Sequence, residues 1–177
     1  MLKLTEIRSP IPLGSHGAAA ARENKSMKHK DQKPSIDLHP TVCNICGGKV
    51  IYTSNAAVYY GKTYGSGYCY LCTECGAYTG THEPWPEEAL GLLADARMRK
   101  GKKMCHALFD PWWQTAEKKR TERQKMYTWL AKQLDIPVVD SHIGYFDLEQ
   151  LRKVYKILKG IENKQKKYDK NGNIYFE

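Results

Sequence analysis

The chain has 177 residues and a mass of 20.3 kDa, enough for one modest domain with a buried core. It carries 28 Lys and Arg against 19 Asp and Glu, a net charge of +9 with a pI of about 9.2, which points to an acidic partner: nucleic acid first, an anionic membrane surface second. No run approaches the ~18 consecutive apolar residues of a membrane span, and the opening MLKLTEIRSPIPLGSHG lacks the apolar core of a secretory signal. The sequence therefore reads as cytoplasmic or nucleoid-associated, with its six cysteines reduced and serving as ligands or plain thiols rather than disulfides.

In chain order, residues 1–40 hold Pro10, Pro12, Pro34 and Pro40, a small-residue run from Gly17 to Ala21, and a net charge of +3. So little apolar surface predicts a disordered basic N-terminal tail. Short β-branched and aromatic runs punctuated by glycine then predict strands over 49–53, 57–60, 67–71 and 77–79. After Pro86 the period becomes helical: Leu90, Leu93, Arg97, Met104, Ala107 and Leu108 fall near one face, with Gly101 a weak point and Asp110-Pro111 a stop. Thr121-Glu122-Arg123-Gln124 reads as a capping box opening a helix with Tyr127, Leu130, Ala131 and Leu134 on its stripe, ended by Pro137. A last helix starts near Asp147, with Gln150 three residues on and the stripe Leu148, Leu151, Val154, Tyr155, Leu158, Ile161; Gly160 and Asn163 weaken or end it. Residues 163–177 form a basic C-terminal tail, in which Asn171-Gly172 allows a small hairpin between Tyr168 and Ile174.

The strongest motif is Cys43-Asn44-Ile45-Cys46-Gly47 matched by Cys72-Thr73-Glu74-Cys75-Gly76. In each C-x-x-C-G knuckle the spacing folds a tight turn that brings two thiolates onto one ion, and glycine permits the positive-φ step that closes it. Two knuckles supply Cys43, Cys46, Cys72 and Cys75, the closed tetrahedral set of a structural Zn2+ site. Cys69-Tyr70-Leu71-Cys72 is also C-x-x-C, but only the Cys72/Cys75 pair is followed by glycine. Redox chemistry lacks a βαβ setting, and iron–sulfur ligation is less suited to a ribbon of short hairpins. The fold expected is α+β: a zinc ribbon over 41–85 packed on about three helices over 86–162.

The knuckles, the segment AVYYGKTYGSGYCYLCTECGAYTGTH, the later HALFDPWW, the helix YTWLAKQLDI and the closing HIGYFDLEQLRKV, in this order, resemble a zinc-finger-containing domain family of unknown function found in bacteriophages and prophages. The resemblance spans residues 43 to about 160. It implies a zinc ribbon held by the four cysteines, a helical half, and a phage or prophage protein of the host cytoplasm; it supplies no reaction.

Other candidates lie in the helical half. Net charge is −2 over 41–90 but +6 over 91–135, so phosphate contacts are expected from Arg97, Arg99, Lys100, Lys102, Lys103, Lys119 and Arg120 rather than from the ribbon. A solvated helix face is the alternative. Trp112, Trp113 and Trp129 could stack on bases, though a core role explains them as well. His82, His106 and His142, with Asp110 and Asp147 nearby in sequence, suggest a speculative second metal or nuclease site, but they match no nuclease spacing. Three functions follow: a nucleic-acid-binding accessory protein on DNA or RNA, a protein-interaction module docking on host machinery such as RNA polymerase or a defence factor, and a metal-dependent nuclease.

Overall fold

The computed structural model describes residues 33–177. The expected N-terminal tail lies outside the described residues up to residue 32. Residues beyond it are tied to the domain: Ser35 N–H donates to Asp140 Oδ1 (2.7 Å) and Ala89 N–H to the Leu38 carbonyl (2.8 Å).

The fold is α+β, as expected. Val50–Ser54 (β1), Tyr68–Cys72 (β2) and Tyr78–Gly80 (β3) form an antiparallel sheet in the order β1-β2-β3. Val50 pairs with Cys72, Tyr52 with Tyr70 and Ser54 with Tyr68. The period of two therefore puts Val50, Tyr52, Tyr68, Tyr70 and Cys72 on one face. Residues 57–60 are not the strand their composition predicts. Asn55–Ala57 is a 3-10 turn capped by the Ser54 hydroxyl, and Tyr60 (φ 55°) and Gly61 (φ 85°) take left-handed conformations. The cause is Asn55, buried, whose side chain donates to the Tyr64 carbonyl (2.6 Å) and accepts from the Tyr64 N–H (3.3 Å). Those local bonds replace a strand ladder.

Four helices follow: Ala96–Phe109 (α1), the single turn Pro111–Gln114 (α2), Lys119–Leu134 (α3) and Leu148–Ile161 (α4). α1 starts later than the apolar period suggests, because Asp95 caps it by accepting the Met98 N–H (2.7 Å). Leu90 and Leu93 precede it in a segment bridged to the sheet through Ala89 with Thr81 and Ala94 with Tyr78. The buried face is then Met98, Cys105 and Phe109, with Leu108 half-buried against the core, while Arg97, Met104 and Ala107 are exposed. α3 begins two residues before Thr121, so the expected capping box does not form; Lys118 is the N-cap, with no side-chain bond. It ends at Asp135, in the left-handed region at φ 53°. α4 carries the expected capping box of Asp147 with Gln150 and runs through Gly160.

One cluster packs between α1, α3 and α4, with Phe109, Met126, Leu130, Ile143, Val154 and Leu158 at its centre. A smaller one lies under the sheet: Cys43, Val50, Tyr70, Cys72, Ala77, Ala89 and Leu93. Within the C-terminal segment the expected small hairpin forms, Lys166–Tyr168 (β4) with Ile174–Phe176 (β5), turning through Gly172 at φ 76°, and it docks on the helices. Phe176 meets Trp112 and Trp129 edge-on, with centroids 4.9 and 4.8 Å away. No helix among the described residues is long and apolar enough to cross a membrane.

Candidate metal centre and basic surface

The two knuckles fold alike. The Gly47 N–H donates to the Cys43 carbonyl (3.0 Å) and the Gly76 N–H to the Cys72 carbonyl (3.1 Å). The Cys43 N–H donates to the Gly48 carbonyl (2.9 Å) and the Cys72 N–H to the Ala77 carbonyl (2.8 Å). Gly47 and Gly76 sit at φ 73° and 70°, the left-handed step the motif requires. The sheet brings the knuckles together: Cys43 Sγ lies 3.7 Å from Cys75 Sγ, Cys46 Sγ lies 3.5 Å from Cys72 Sγ, and all four sulfurs lie within 4.8 Å of one another. Four thiolates around one ion at ~2.3 Å would stand ~3.8 Å apart. Backbone N–H groups of Ile45 and Gly48 point at Cys43 and Cys46 Sγ, each at 3.4 Å.

Crowding drives the acidities of these thiols apart. The Cys75 N–H foremost, opposed by burial and aided by the Glu74 N–H, draws Cys72 down to about 7. The Ala77 N–H pulls Cys75 down, but the Cys46 sulfur, burial and the Cys72 sulfur push it up to about 12. Four thiolates at neutral pH therefore need a cation among them, and a metal ion meets that need. Cys69 lies outside the cluster, fully buried in β2, where burial raises its pKa. Cys105 is a buried thiol of α1, pushed up to about 11 by burial and donating to the Leu151 carbonyl (3.4 Å).

A pair of hairpin knuckles closing a four-sulfur site defines the class: a zinc-finger-type metal-binding domain of the ribbon form. Residues 39–161 match the family model of a zinc-finger-containing domain, and the chain belongs to that family. No curated protein and no solved structure matches it.

The histidines are not gathered into a second metal site: among the described residues, the four cysteines form the one group of three or more donors close enough for an ion. His106 Nδ1 lies 3.3 Å from Asp110 Oδ1 across the end of α1. His142 stacks on Tyr127 with centroids 4.4 Å apart, and burial, then Arg123, His82 and His106, hold its pKa below the usual value. Trp112, Trp113 and Trp129 belong to the fold. Trp129 is buried, and the half-buried Trp113 donates Nε1–H to Asp110 Oδ1 (3.2 Å).

The expected phosphate contacts divide. Arg99 is taken up by the fold: its Nη1 donates to the Ala94 carbonyl (2.6 Å) and its guanidinium lies 4.5 Å over the Tyr78 ring. Lys102 is also taken up, its Nζ donating to the Leu92 and Gly144 carbonyls at 2.9 Å each. There Gly91 and Gly144 meet so closely that a Cβ on either would strike the backbone of the other strand of chain. Arg97, Lys100, Lys103, Lys119 and Arg120 are exposed. Among the described residues none of these five has a carboxylate within 4.0 Å.

Burial lowers the Lys102 pKa from 10.5 to about 8. Between those values the unfolded chain binds more protons than the folded one, so wild-type stability should rise with pH relative to Lys102→Met, which has no such group. The gain should reach about 2 kcal/mol between pH 7.5 and 10, read as the change in the difference between urea melts of the two proteins at those pH values. A constant difference would mean that the ammonium titrates normally.

Sequence periodicity missed a groove of about 210 Å³ between α1 and α4. Gly101, Met104, Leu148, Leu151 and Tyr155 line it, with Arg152 and Lys156 at the rim. Arg97 and Lys100 stand one turn before Gly101 and Met104, on the same side of α1. The apolar period groups Met104 with Leu90 and Leu93 on one face, but once α1 starts at the Asp95 cap, Met104 turns outward and is 39% exposed.

Proposed function

We propose that the chain is a zinc-stabilised nucleic-acid-binding accessory protein. One Zn2+ is held by Cys43, Cys46, Cys72 and Cys75 in a structural role, and the α1/α4 groove receives single-stranded nucleic acid. The supporting observation is the groove itself: an apolar floor with Tyr155, lined also by Arg152 and Lys156, with the exposed Arg97 and Lys100 one turn before Gly101 and Met104 on the same side of α1. Single-strand sites combine these two features, cations along the backbone and an apolar or aromatic surface for the bases. Zinc is favoured by the donor set, because four thiolates in a closed tetrahedron suit that ion. The reduced thiols this requires, and the resemblance to phage and prophage proteins, fit an accessory protein working in the cytoplasm, that of the host if it is phage-encoded.

The test is a salt titration of oligothymidine binding. Changing Arg97, Lys100 and Arg152 to Gln should flatten the slope of log affinity against log salt by roughly 0.7 per lost single-strand contact. Tyr155→Ala should weaken binding with little change in that slope, as the loss of a stacking partner would. An unaltered slope in the triple variant, with its melt intact, would remove the groove as the binding site.

A further inference from the structure

The ribbon presents a second surface of opposite character. Tyr52 and Tyr68 stack across β1 and β2 with centroids 5.1 Å apart and planes within 11°, yet each residue is 43% exposed. Trp85, 64% exposed, lies in the segment that covers this end of the sheet. That segment is pinned: the Tyr52 hydroxyl donates to the Pro86 carbonyl (3.0 Å) and the Tyr70 hydroxyl to the Glu87 carbonyl (2.6 Å). The Glu88 N–H also donates to the Trp85 carbonyl (2.9 Å), so the tyrosines and the backbone at Trp85 are held in place while Tyr52, Tyr68 and Trp85 stay exposed. The charged residues of that segment are all acidic: Glu83, Glu87 and Glu88 flank Trp85.

Aromatic faces are negative at the centre of the ring and attract cations, and neighbouring carboxylates add to that attraction. A phosphate backbone would be repelled by the same groups. The ribbon already uses this chemistry once internally, with the Arg99 guanidinium over Tyr78. Exposed, rigid Tyr and Trp are also the residue types enriched at the energetic centres of protein interfaces. We propose that the Tyr52–Tyr68–Trp85 face is a docking surface for an arginine-bearing segment of a partner protein, with Glu87 pairing its guanidinium groups. It is separate from the α1/α4 groove and of opposite charge preference, so one chain could hold a nucleic acid and a basic protein segment together.

The probe is a fluorescein-labelled oligo-arginine peptide, with oligothymidine measured in parallel on the same intact chains. The wild type should bind the peptide although its own net charge is +9. The double variant Trp85→Ala, Glu87→Gln, both at exposed positions, should bind it about tenfold more weakly and leave oligothymidine affinity and the thermal melt unchanged. Tyr68→Ala is a second variant, reaching the same face from the sheet. Peptide binding that is absent in the wild type, or equal in all three proteins, would overturn the proposal. Loss of oligothymidine affinity in the variants would overturn it in favour of nucleic acid on this face.

Discussion

Replacing Cys72 with serine is expected to strip the metal from the protein and unfold the ribbon. The buried cluster under the sheet is small, and Cys43 and Cys72, two of its seven residues, are themselves members of the sulfur site. Without the ion that cluster cannot offset the entropy of ordering the ribbon. Structural zinc supplies on the order of 10 kcal/mol or more in small zinc domains, comparable with the whole stability of a typical domain. Elemental analysis of the wild type should give about one zinc per chain, and Cys72→Ser should fall far below that. Cys69→Ser should keep the metal, because its sulfur lies outside the cluster, and should lose only the packing of a buried thiol. If Cys69→Ser lost the metal while Cys75→Ser retained it, the assignment of ligands would be wrong. Wild type that is metal-free after purification without chelator would remove the centre altogether.

The metal cluster was legible in the sequence because its determinants are local. Spacing places two sulfurs on one turn, glycine closes the turn, and the C-x-x-C-G form repeats. α4 was legible for a similar reason, with Asp147 and Gln150 as cap and an unbroken apolar stripe behind them. The misreadings arose where a local signal met a stronger competitor. Ala57–Tyr60 has strand composition, but the Asn55 side chain bonds to Tyr64 and bends the chain into a loop. Leu90 and Leu93 share a helical period with α1, but backbone bridges from Ala89 and Ala94 to the sheet claim that segment first. Once the helix starts at the Asp95 cap, its inner face rotates to Met98, Cys105 and Phe109, and Lys102 turns inward to two carbonyls. A count of positive charge along the sequence carries no information about that rotation. Such a count treats Arg99 and Lys102 as surface cations and omits Arg152 and Lys156, which line the α1/α4 groove from a helix some fifty residues later.

Removing residues 163–177 is expected to destabilise the helical half severely. A loose basic tail would be dispensable, but this segment completes a core. Ile174 is 6% exposed, and Phe176 fills the angle between Trp112 and Trp129. It also satisfies Glu122, which α3 buries in its first turn. Glu122 Oε2 accepts from the Tyr168 hydroxyl (2.6 Å) and from Lys166 Nζ (3.2 Å), and Lys166 also donates to the Trp112 carbonyl (2.6 Å). Truncation would expose two indoles and leave a carboxylate without its hairpin partners, so the melt should lose several kcal/mol of stability or its cooperativity. Phe176→Ala is the milder form, expected to cost about 2–3 kcal/mol for a half-buried ring. The polar part has its own signature. Burial pushes the Glu122 pKa up, but the Tyr168 and Lys166 bonds outweigh it and leave the pKa below the usual 4.5. A carboxylate depressed in the folded state stabilises it above its unfolded pKa, and that contribution is lost as the pH falls through the folded value. The stability difference between wild type and Glu122→Gln should therefore shrink as the pH is lowered from 6 to 3, while the difference between wild type and Phe176→Ala should hold steady. Urea melts of the three proteins across that range would separate the two contributions. A truncated chain that melts at the wild-type temperature would show that the hairpin rests on the helices without supporting them.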